Sequence, residues 1–249
     1  MTNAASSEHD ERTQRYFDRN TPTYSLGRYE AVVAFLREHA APGASLLDIG
    51  CGAGNVLKLL AENSPVRDLN GLDVSASYLT KCAAAVPGCT THLGSILDPG
   101  LRAVAGRRFT YVLVGAVLHH LVGGTRAESL RLAQQGLRNA WSLVEPGGAL
   151  IIMEPTFRPH GAMSIVFYVK RLVSRVTSRR VAILGYWNNL GEPVVSYFSH
   201  EELNYQASRL PHAKLVSGIK KTKSLPAIWR LAGVSERADS VLIVGKTGE

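Results

Sequence analysis

Short apolar runs alternate with longer amphipathic stretches along most of the chain, which predicts strands and helices in turn. Strands are predicted over SLLDIG (45–50), GLDV (71–74), CTTHL (89–93), FTYVLVG (109–115) and ALIIME (149–154). Helices are predicted over residues 53–63, 76–85 and 126–143. Because strands that alternate with helices form βαβ units, the pattern favours a parallel sheet in a Rossmann-like α/β fold.

The last part of the chain predicts an antiparallel edge to this sheet. HAKLVSGI (212–219) and DSVLIVG (239–245) predict two further strands, which would make the sheet seven-stranded and mostly parallel, with helices on both faces. Ser199 and Glu202 have the spacing of a capping box, which predicts the start of a helix. We therefore expect one domain over residues 1–249, made of an N-terminal helical cover (1–40), a core (41–155), a lid insertion between strands five and six (156–198) and the rest of the core (199–249).

Composition is consistent with one packed domain. The chain has 249 residues, of which 45% are hydrophobic and 19% charged. No apolar run approaches the ~18 residues of a membrane span, and the polar first residues lack the apolar segment of a secretory signal. The three cysteines, Cys51, Cys82 and Cys89, have neither the even number of a disulfide framework nor a metal-site spacing. We therefore expect free thiols and a cytoplasmic location.

The positive charge of the chain is concentrated in one region. The net charge is +8, and residues 156–235 contain twelve Lys/Arg and three acidic residues, so the remainder is nearly neutral. A basic region on a neutral body suggests an acidic substrate, an anionic membrane surface or RNA as a partner. The charge pattern does not choose among these three.

A glycine-rich turn follows the first predicted strand. The stretch Asp48-Ile-Gly50-Cys-Gly52-Ala-Gly54 has the spacing G-x-G-x-G, one residue shorter than the G-x-G-x-x-G of dinucleotide-binding proteins. Glycines allow a ligand to approach the backbone closely, and Asp73 ends the next strand, where it could accept hydrogen bonds from the two hydroxyls of a ribose. These features predict a nucleoside cofactor without identifying it.

The motifs resemble those of class I methyltransferases that use S-adenosylmethionine (SAM). The resemblance covers residues 45–155 and rests on four strings in the family's order and spacing, LLDIGCGAG, GLDVSASYL, FTYVLVGAVLHHL and LVEPGGALIIMEP, which correspond to motifs I, II, IV and V. It implies SAM as the cofactor and S-adenosylhomocysteine as its product. The cofactor-binding residues that it implies are Tyr24, Asp48, Gly50, Gly52, Gly54, Asp73, Val74, Ser95, Ile96 and Gly115.

The resemblance also implies a role for each of these residues. The three glycines would border the methionine part of SAM and Asp48 would order their loop. Asp73 would hold the ribose and Val74 would pack on adenine. Ser95 and Ile96 would meet the adenine edge, although Gly94-Ser95 replaces the family's common Gly-Asp. Gly115 begins the turn that faces both cofactor and acceptor.

Aromatic residues near the N-terminus are candidates for closing the site. In SAM enzymes with a similar opening helix, a tyrosine closes over the methionine end of the cofactor, and aromatic faces suit a sulfonium cation. The candidates here are Tyr16, Phe17, Tyr24 and Tyr29. We expect Tyr24 to make this contact.

The turn after the fourth strand contains the candidate catalytic residues, His119 and His120. Methyl transfer needs alignment and removal of a proton, and an imidazole with an ordinary pKa of about 6.5 suits the second task. In small-molecule O-methyltransferases with a Leu-His-Asp motif here, the first histidine is the base. That position is His119, and His120 replaces the aspartate. Leu-His-His-Leu also occurs in methyltransferases that need no base, where the histidines only shape the pocket.

Two absences limit the chemistry. The chain lacks the Asn/Asp-Pro-Pro-Tyr motif with which enzymes that methylate exocyclic amines grip a flipped base. It also lacks an Asp/His cluster like the metal site of catechol-type O-methyltransferases. We therefore expect no metal.

The predicted lid contains a basic amphipathic segment. Its apolar positions at helical spacing, which we expect to line the acceptor pocket, are Ile165, Val169, Leu172, Val173 and Val176. The rest of this helix carries Lys170, Arg171, Arg175, Arg179 and Arg180. The same pattern would suit an anionic membrane surface or a solvated cover helix. Flat contacts for an acceptor could come from Tyr186, Trp187 and Phe198.

The favoured interpretation is a SAM-dependent methyltransferase that acts on a hydrophobic or acidic small molecule, at oxygen, in secondary-metabolite or quinone and lipid biosynthesis. Methylation at carbon of an activated ring is an alternative. A tRNA substrate is another, because AVLHHLVGGTRAESLRLA resembles the corresponding stretch of tRNA wobble-uridine methyltransferases. A third is a SAM-binding scaffold without turnover. The oligomeric state is left open.

Overall fold

Seven strands form one mixed sheet in a computed structural model that describes residues 26–176 and 194–248. The strands of the described residues are β1 (Ser45–Ile49), β2 (Asp68–Asp73), β3 (Thr90–Leu93), β4 (Phe109–Gly115), β5 (Val144–Arg158), β6 (Ala213–Thr222) and β7 (Glu236–Lys246). Their order is β3-β2-β1-β4-β5-β7-β6, with β7 antiparallel to both neighbours and the first five strands parallel. The predicted mostly parallel sheet with an antiparallel edge is confirmed.

Helices cover both faces of the sheet. They are α1 (Leu26–His39), α2 (Asn55–Asn63), α3 (Ala76–Ala85), α4 (Arg126–Ser142), α5 (His160–Val176), α6 (His200–Ser208) and α7 (Ala227–Leu231), with short 3-10 turns at Pro99–Val104 and Leu118–His120. Alternate residues of β4 serve the two cores, because neighbouring side chains of a strand point to opposite faces. Val112 and Val114 pack with α4 and α6, whereas Tyr111 and Leu113 pack with α1, α2 and α3.

The strand order places a crevice at the carboxyl ends of β1 and β4. These two strands are neighbours, with Ile49 opposite Val114. The chain continues from β1 toward β2 on one side of the sheet, and the later strand β5 lies on the other side. Open α/β sheets bind ligands at such a switch point. The fold therefore brings the glycine-rich turn after β1 next to the His119-His120 turn after β4.

Strand β5 is longer than the sequence predicted. The strand begins at Val144 and continues through Thr156–Arg158, which the sequence assigns to the lid. The extension through Arg158 comes from pairing with β7, which runs in continuous register from Ala149 opposite Gly245 to Arg158 opposite Glu236. A local pattern could not predict this length, because the partner strand is about 80 residues away in the chain.

Helix α5 presents the opposite face from the one we expected. Ile165 and Leu172 are about two-thirds exposed and Val169 is half exposed, while Lys170 is buried. The buried face instead contains Met163, Val166 and Phe167. Met163 and Val166 belong to a small separate core with Phe157, Val195 and Trp229. The expectation that Ile165, Val169 and Leu172 line the pocket is therefore wrong. The side chains of Val173, Arg175 and Val176, and residues Arg179, Arg180, Tyr186 and Trp187, lie outside the described part, while Phe198 is buried in the main core.

A buried arginine joins three elements beside the crevice. Arg126, at the start of α4, donates to the Tyr197 carbonyl oxygen at 2.6 Å and to both carboxylate oxygens of Glu202 at 2.9 and 3.1 Å. Glu202 also completes the predicted capping box with Ser199, which is confirmed. His160 of α5 approaches the same carboxylate, with 2.6 Å between its Nδ1 and Oε1. This network fixes the end of the lid, residues 194–199, to the core.

The sequence predicts no membrane span and free thiols, and the described helices and cysteines bear on both predictions. Within 26–176 and 194–248, no helix is long and apolar enough to cross a bilayer. Cys51, Cys82 and Cys89 are free thiols, and the first two are buried.

Replacing Arg126 by Met should lower the free energy of unfolding by about 3 kcal/mol, because Glu202 and the Tyr197 carbonyl would lose a buried charged donor. Urea unfolding followed by circular dichroism measures the change. Arg131→Met is the matched control, since Arg131 is exposed on the same helix, and it should change the free energy by less than about 0.5 kcal/mol. Equal effects of the two substitutions would contradict the proposed role of Arg126.

Candidate active site

A cavity of about 310 Å³ lies in the crevice at the carboxyl ends of β1, β2 and β4. Its walls come mainly from the glycine turn (residues 50–54), the end of β2, the turn after β3 and the acceptor turn, a name we give to residues 116–120, and Tyr29 of α1 also lines it. The predicted site residues that line it are Asp48, Gly50, Gly52, Asp73, Val74, Ser95, Ile96, Gly115 and His120. Gly54 and His119 lie behind the walls, and Tyr24 lies outside the described residues.

The glycine turn needs glycine at two positions for different reasons. Gly50 has φ +76° and donates its N–H to the Leu72 carbonyl oxygen at 2.7 Å, and a Cβ there would collide with Val117 Cγ2. Gly52 has φ +53°, and a Cβ there would meet no atom within 4 Å. Gly50 therefore allows the acceptor turn to approach, while Gly52 leaves open space beside the cavity for a ligand. Gly54 instead packs on Cys82 of α3.

Asp73 connects the ends of β1 and β2. Its Oδ2 accepts from the Gly52 N–H and its Oδ1 accepts from the Ser75 N–H, each at 2.9 Å. The carboxylate is largely buried at the edge of the cavity. Each carboxylate oxygen can accept a second hydrogen bond. The arrangement positions Asp73 to receive two ligand hydroxyls, as the ribose prediction requires.

Asp48 has a buried carboxylate oxygen whose hydrogen-bonding capacity is not satisfied by the described residues. The residue is 3% exposed, and its Oδ2 has no hydrogen-bond partner among them. Burial raises the pKa of this carboxyl well above its usual range, and the nearby Asp73 charge raises it further. A cationic ligand group would satisfy this atom and favour its ionised form. The amino group of the methionine part of SAM fits that requirement, and Gly52 leaves room for it.

The part of the cavity wall that the resemblance assigns to adenine is both apolar and polar. Val74 is half exposed and Ile96 is buried, and both line the cavity. The Ser95 hydroxyl accepts from the Leu97 N–H at 3.1 Å, and the Ser95 N–H donates to Asp98 Oδ2 at 2.8 Å. Sequence reasoning missed Asp98, which organises this turn although the family's acid is replaced by Ser95. The signal was an acid three residues after Ser95, at the spacing of a local turn.

The acceptor turn presents its two histidines differently. His120 lines the cavity, while the His119 ring is buried, stacked on Tyr197 and 2.6 Å from a carboxylate oxygen of Glu154. Burial, with smaller contributions from the charges of Arg28 and Lys170, lowers the pKa of His119 to about 3. His119 is therefore neutral near pH 7 and lies one layer behind the cavity wall.

Sequence reasoning missed Glu154 in this region and favoured Tyr24 over Tyr29. Glu154 is completely buried within β5, and its burial raises the pKa of its carboxyl to about 8. The string ALIIME predicts only a strand, so Glu154 gave no separate signal. Tyr29, one of the four aromatic candidates, is buried and lines the cavity with its hydroxyl near Gly115.

Within the described residues, no three His, Cys, Asp or Glu side chains gather as a metal site requires. The described part of the cavity wall contains carboxylates, a histidine and backbone amides rather than a ligand cluster. Metal independence stays a prediction.

The strand order, the glycine turn and the acid at the end of β2 are those of a class I methyltransferase fold. Residues 47–150 match a family model described as a methyltransferase domain. This part of the chain is therefore similar to methyltransferase domains, which agrees with the strand order of the sheet.

Three known proteins show what the chain is similar to. It is 32% identical over 118 residues to a dTDP-3-amino-3,6-dideoxy-α-D-glucopyranose N,N-dimethyltransferase from Streptomyces fradiae (46% of this chain, 44% of that protein). It is 29% identical over 122 residues to a trans-aconitate 2-methyltransferase from Deinococcus radiodurans (49% and 42%). The fold matches a SAM-dependent methyltransferase from Anabaena variabilis with a TM-score of 0.61 and 18% identity, covering 97% of this chain and 95% of that one. The matches to the two curated relatives span less than half of their length.

Asp73→Asn should raise the dissociation constant for SAM about 30-fold, because an amide must place an NH₂ against one of two backbone donors, at a cost of about 2 kcal/mol. Isothermal titration calorimetry with SAM and with S-adenosylhomocysteine measures the change. Asp68→Asn is the matched control at the other, exposed end of β2 and should leave the affinity unchanged. An unchanged affinity for Asp73→Asn would remove this carboxylate from the site.

Proposed function

We propose that this protein transfers the methyl group of SAM to a small-molecule acceptor, at oxygen. The observation that carries the proposal is one cavity with the glycine turn and Asp73 on one side and the acceptor turn with His120 on the other. When bound, SAM supplies an electrophilic methyl group. The protein must then align an acceptor in line with that methyl group, exclude water and accept a proton.

The proposed cofactor roles are those of the resemblance and agree with the residues that line the cavity. Asp73, at the end of β2, receives the ribose hydroxyls. Val74, Ser95 and Ile96 form the adenine end. Gly52, Asp48 and Gly115 face the methionine end, and Tyr24 is assigned by resemblance to close over it.

His120 is the better candidate for contact with the acceptor. Its ring is part of the cavity wall, whereas His119 Nδ1 is bonded to Glu154 behind the wall. The two ring centroids are 4.0 Å apart, so His119 also supports the ring of His120. We therefore assign proton removal to His120 and a supporting role to His119, which reverses the preference drawn from the sequence.

The acceptor is proposed to be small because both curated relatives are named for small molecules, an amino sugar nucleotide and trans-aconitate. The excess of basic residues over 156–235 suits an acceptor with an acidic group. A role in secondary-metabolite or quinone and lipid biosynthesis is part of the same proposal. The name of the amino-sugar relative makes an amine acceptor the second candidate. A cytoplasmic location is proposed from the free thiols.

Incubation with methyl-labelled SAM and extracts of the source organism tests the proposal. The extract is separated into organic-soluble metabolites, water-soluble small molecules and RNA. Label in either small-molecule fraction is expected, and that product can then be identified. Label confined to RNA would replace the proposal with a tRNA substrate, and no transfer above a boiled-protein control would favour a SAM-binding scaffold. Asp73→Asn serves as the control for cofactor-dependent labelling.

His120→Gln distinguishes an oxygen from a nitrogen acceptor. A hydroxyl must lose its proton during transfer, so kcat should fall about 100-fold, within the range of general-base catalysis. An amine that binds as the free base needs no base in the transfer step, so its kcat should change less than about fivefold, well below that range. His39→Gln, at an exposed position of α1, is the control. Full activity of His120→Gln on a hydroxyl acceptor would rule out His120 as the base.

A further inference from the structure

Glu154 makes a set of contacts that the proposed chemistry does not use. It is fully buried within β5, and its one carboxyl group contacts three consecutive residues of the acceptor turn. We propose that Glu154 is a positioning residue that holds the acceptor turn against the glycine turn and so places His120 in the cavity. The inference rests on the proposed function, because it concerns the same methyl-transfer site.

The contacts are short and divided between the two oxygens. Oε1 accepts from the Val117 N–H at 2.8 Å and from the Leu118 N–H at 2.7 Å. Oε2 lies 2.6 Å from His119 Nδ1. Since buried backbone N–H groups need an acceptor, the carboxyl group of Glu154 determines where these two residues can lie.

The acceptor turn has a conformation that needs support. Ala116 adopts φ +58°, a left-handed conformation that is unfavourable for a residue with a Cβ. Its N–H donates to the carbonyl oxygen of Met153 at 2.7 Å. Two adjacent residues of β5, Met153 and Glu154, thus hold the turn in place after β4.

The contacts of Glu154 reach the cofactor side through Val117. The Val117 side chain fills the space next to Gly50 that a Cβ would otherwise occupy. From the lid side, the Ser196 N–H donates to the His119 carbonyl oxygen at 2.8 Å, and Tyr197 stacks on the His119 ring. The acceptor turn is therefore held between the glycine turn and residues 194–199, and Glu154 contacts it from β5.

The hydrogen bonds that hold the glycine turn do not involve Glu154. The Gly50 and Gly52 N–H groups are bound by the Leu72 carbonyl and by Asp73, respectively. Loss of Glu154 should therefore reduce turnover much more than it reduces the affinity for SAM. A general loss of folding would reduce both.

Substitution of Glu154 by Gln or by Met distinguishes loss of its hydrogen bonds from loss of its side-chain volume. Burial raises the pKa of Glu154 to about 8 and lowers that of His119 to about 3, so near neutral pH the carboxyl holds the proton and donates to Nδ1. A glutamine can reproduce this pattern, since its oxygen can accept from Val117 and Leu118 and its NH₂ can donate to His119. A methionine has similar length and neither group.

The test compares Glu154→Gln, Glu154→Met and a control, Glu145→Gln, near the amino end of β5, where the carboxylate accepts a hydrogen bond from the Thr110 hydroxyl. Amide hydrogen exchange of Val117 and Leu118 is measured by NMR, which requires no acceptor. SAM affinity is measured by calorimetry, and kcat is measured with the acceptor found by labelling.

For Glu154→Met we expect exchange at both amides to be about 100-fold faster, kcat to fall about 100-fold and the SAM dissociation constant to change less than about threefold. Glu154→Gln should keep both amides protected and retain at least about ten times the kcat of Glu154→Met, because its hydrogen bonds are preserved. Glu145→Gln should match the unsubstituted protein.

Protected amides and normal turnover in Glu154→Met would overturn the inference, as would a glutamine variant that behaves like the methionine variant. If Glu154→Met fails to fold, Glu154→Asp takes its place with the same expectation, because its shorter side chain cannot reach all three partners. If the unsubstituted protein transferred no methyl group, only the proposed function would be contradicted. Amide exchange would still show whether Glu154 holds the acceptor turn.

Discussion

The close approach of two turns at Gly50 is the constraint on which the rest of the site depends. The glycine turn after β1 and the acceptor turn after β4 leave neighbouring parallel strands, and Val117 occupies the space where a Gly50 side chain would be. Any larger residue would separate the turns and widen the cavity between cofactor and acceptor. Methyl transfer depends on alignment within fractions of an ångström, so a contact at this point controls the geometry that the chemistry requires.

Three buried carboxyl groups surround this contact, and their environments differ. Asp73 and Glu154 each receive two backbone N–H groups, which offset the cost of burying them. Asp48 has an oxygen without a partner among the described residues, in the wall of the cavity. Satisfied carboxyl groups stabilise the turns, whereas the unsatisfied one is suited to a ligand that brings its own donor. Asp73 and Glu154 thus each hold a turn in place, while Asp73 and Asp48 are the two carboxyl groups that line the cavity.

Helix α5 and residues 194–199 are held in place by an apolar core and a buried arginine rather than by carboxyl groups at the cavity. Helix α5 carries two apolar stripes, and the one that becomes buried is the one that matches Phe157 and Trp229 in a small separate core. Arg126 then attaches residues 194–199 to helices α4 and α6 through Glu202 and the Tyr197 carbonyl. Because Ser196 and Tyr197 also contact His119, the anchoring of the lid and the position of the acceptor turn are part of one connected network.

The sequence by itself determined the features that depend on local interactions. The alternation of strands and helices, the glycine turn, the position of Asp73 and the capping box of Ser199 and Glu202 all follow from short-range patterns. The tertiary structure alone decided the length of β5, which depends on pairing with β7, and the buried face of α5, which depends on a distant core. It also decided which of two adjacent histidines faces the cavity, because the orientation of His119 and His120 follows from Glu154, about 35 residues further along the chain. Contacts between residues far apart in sequence have no local pattern, so they become visible only when the sheet brings β4 and β5 together.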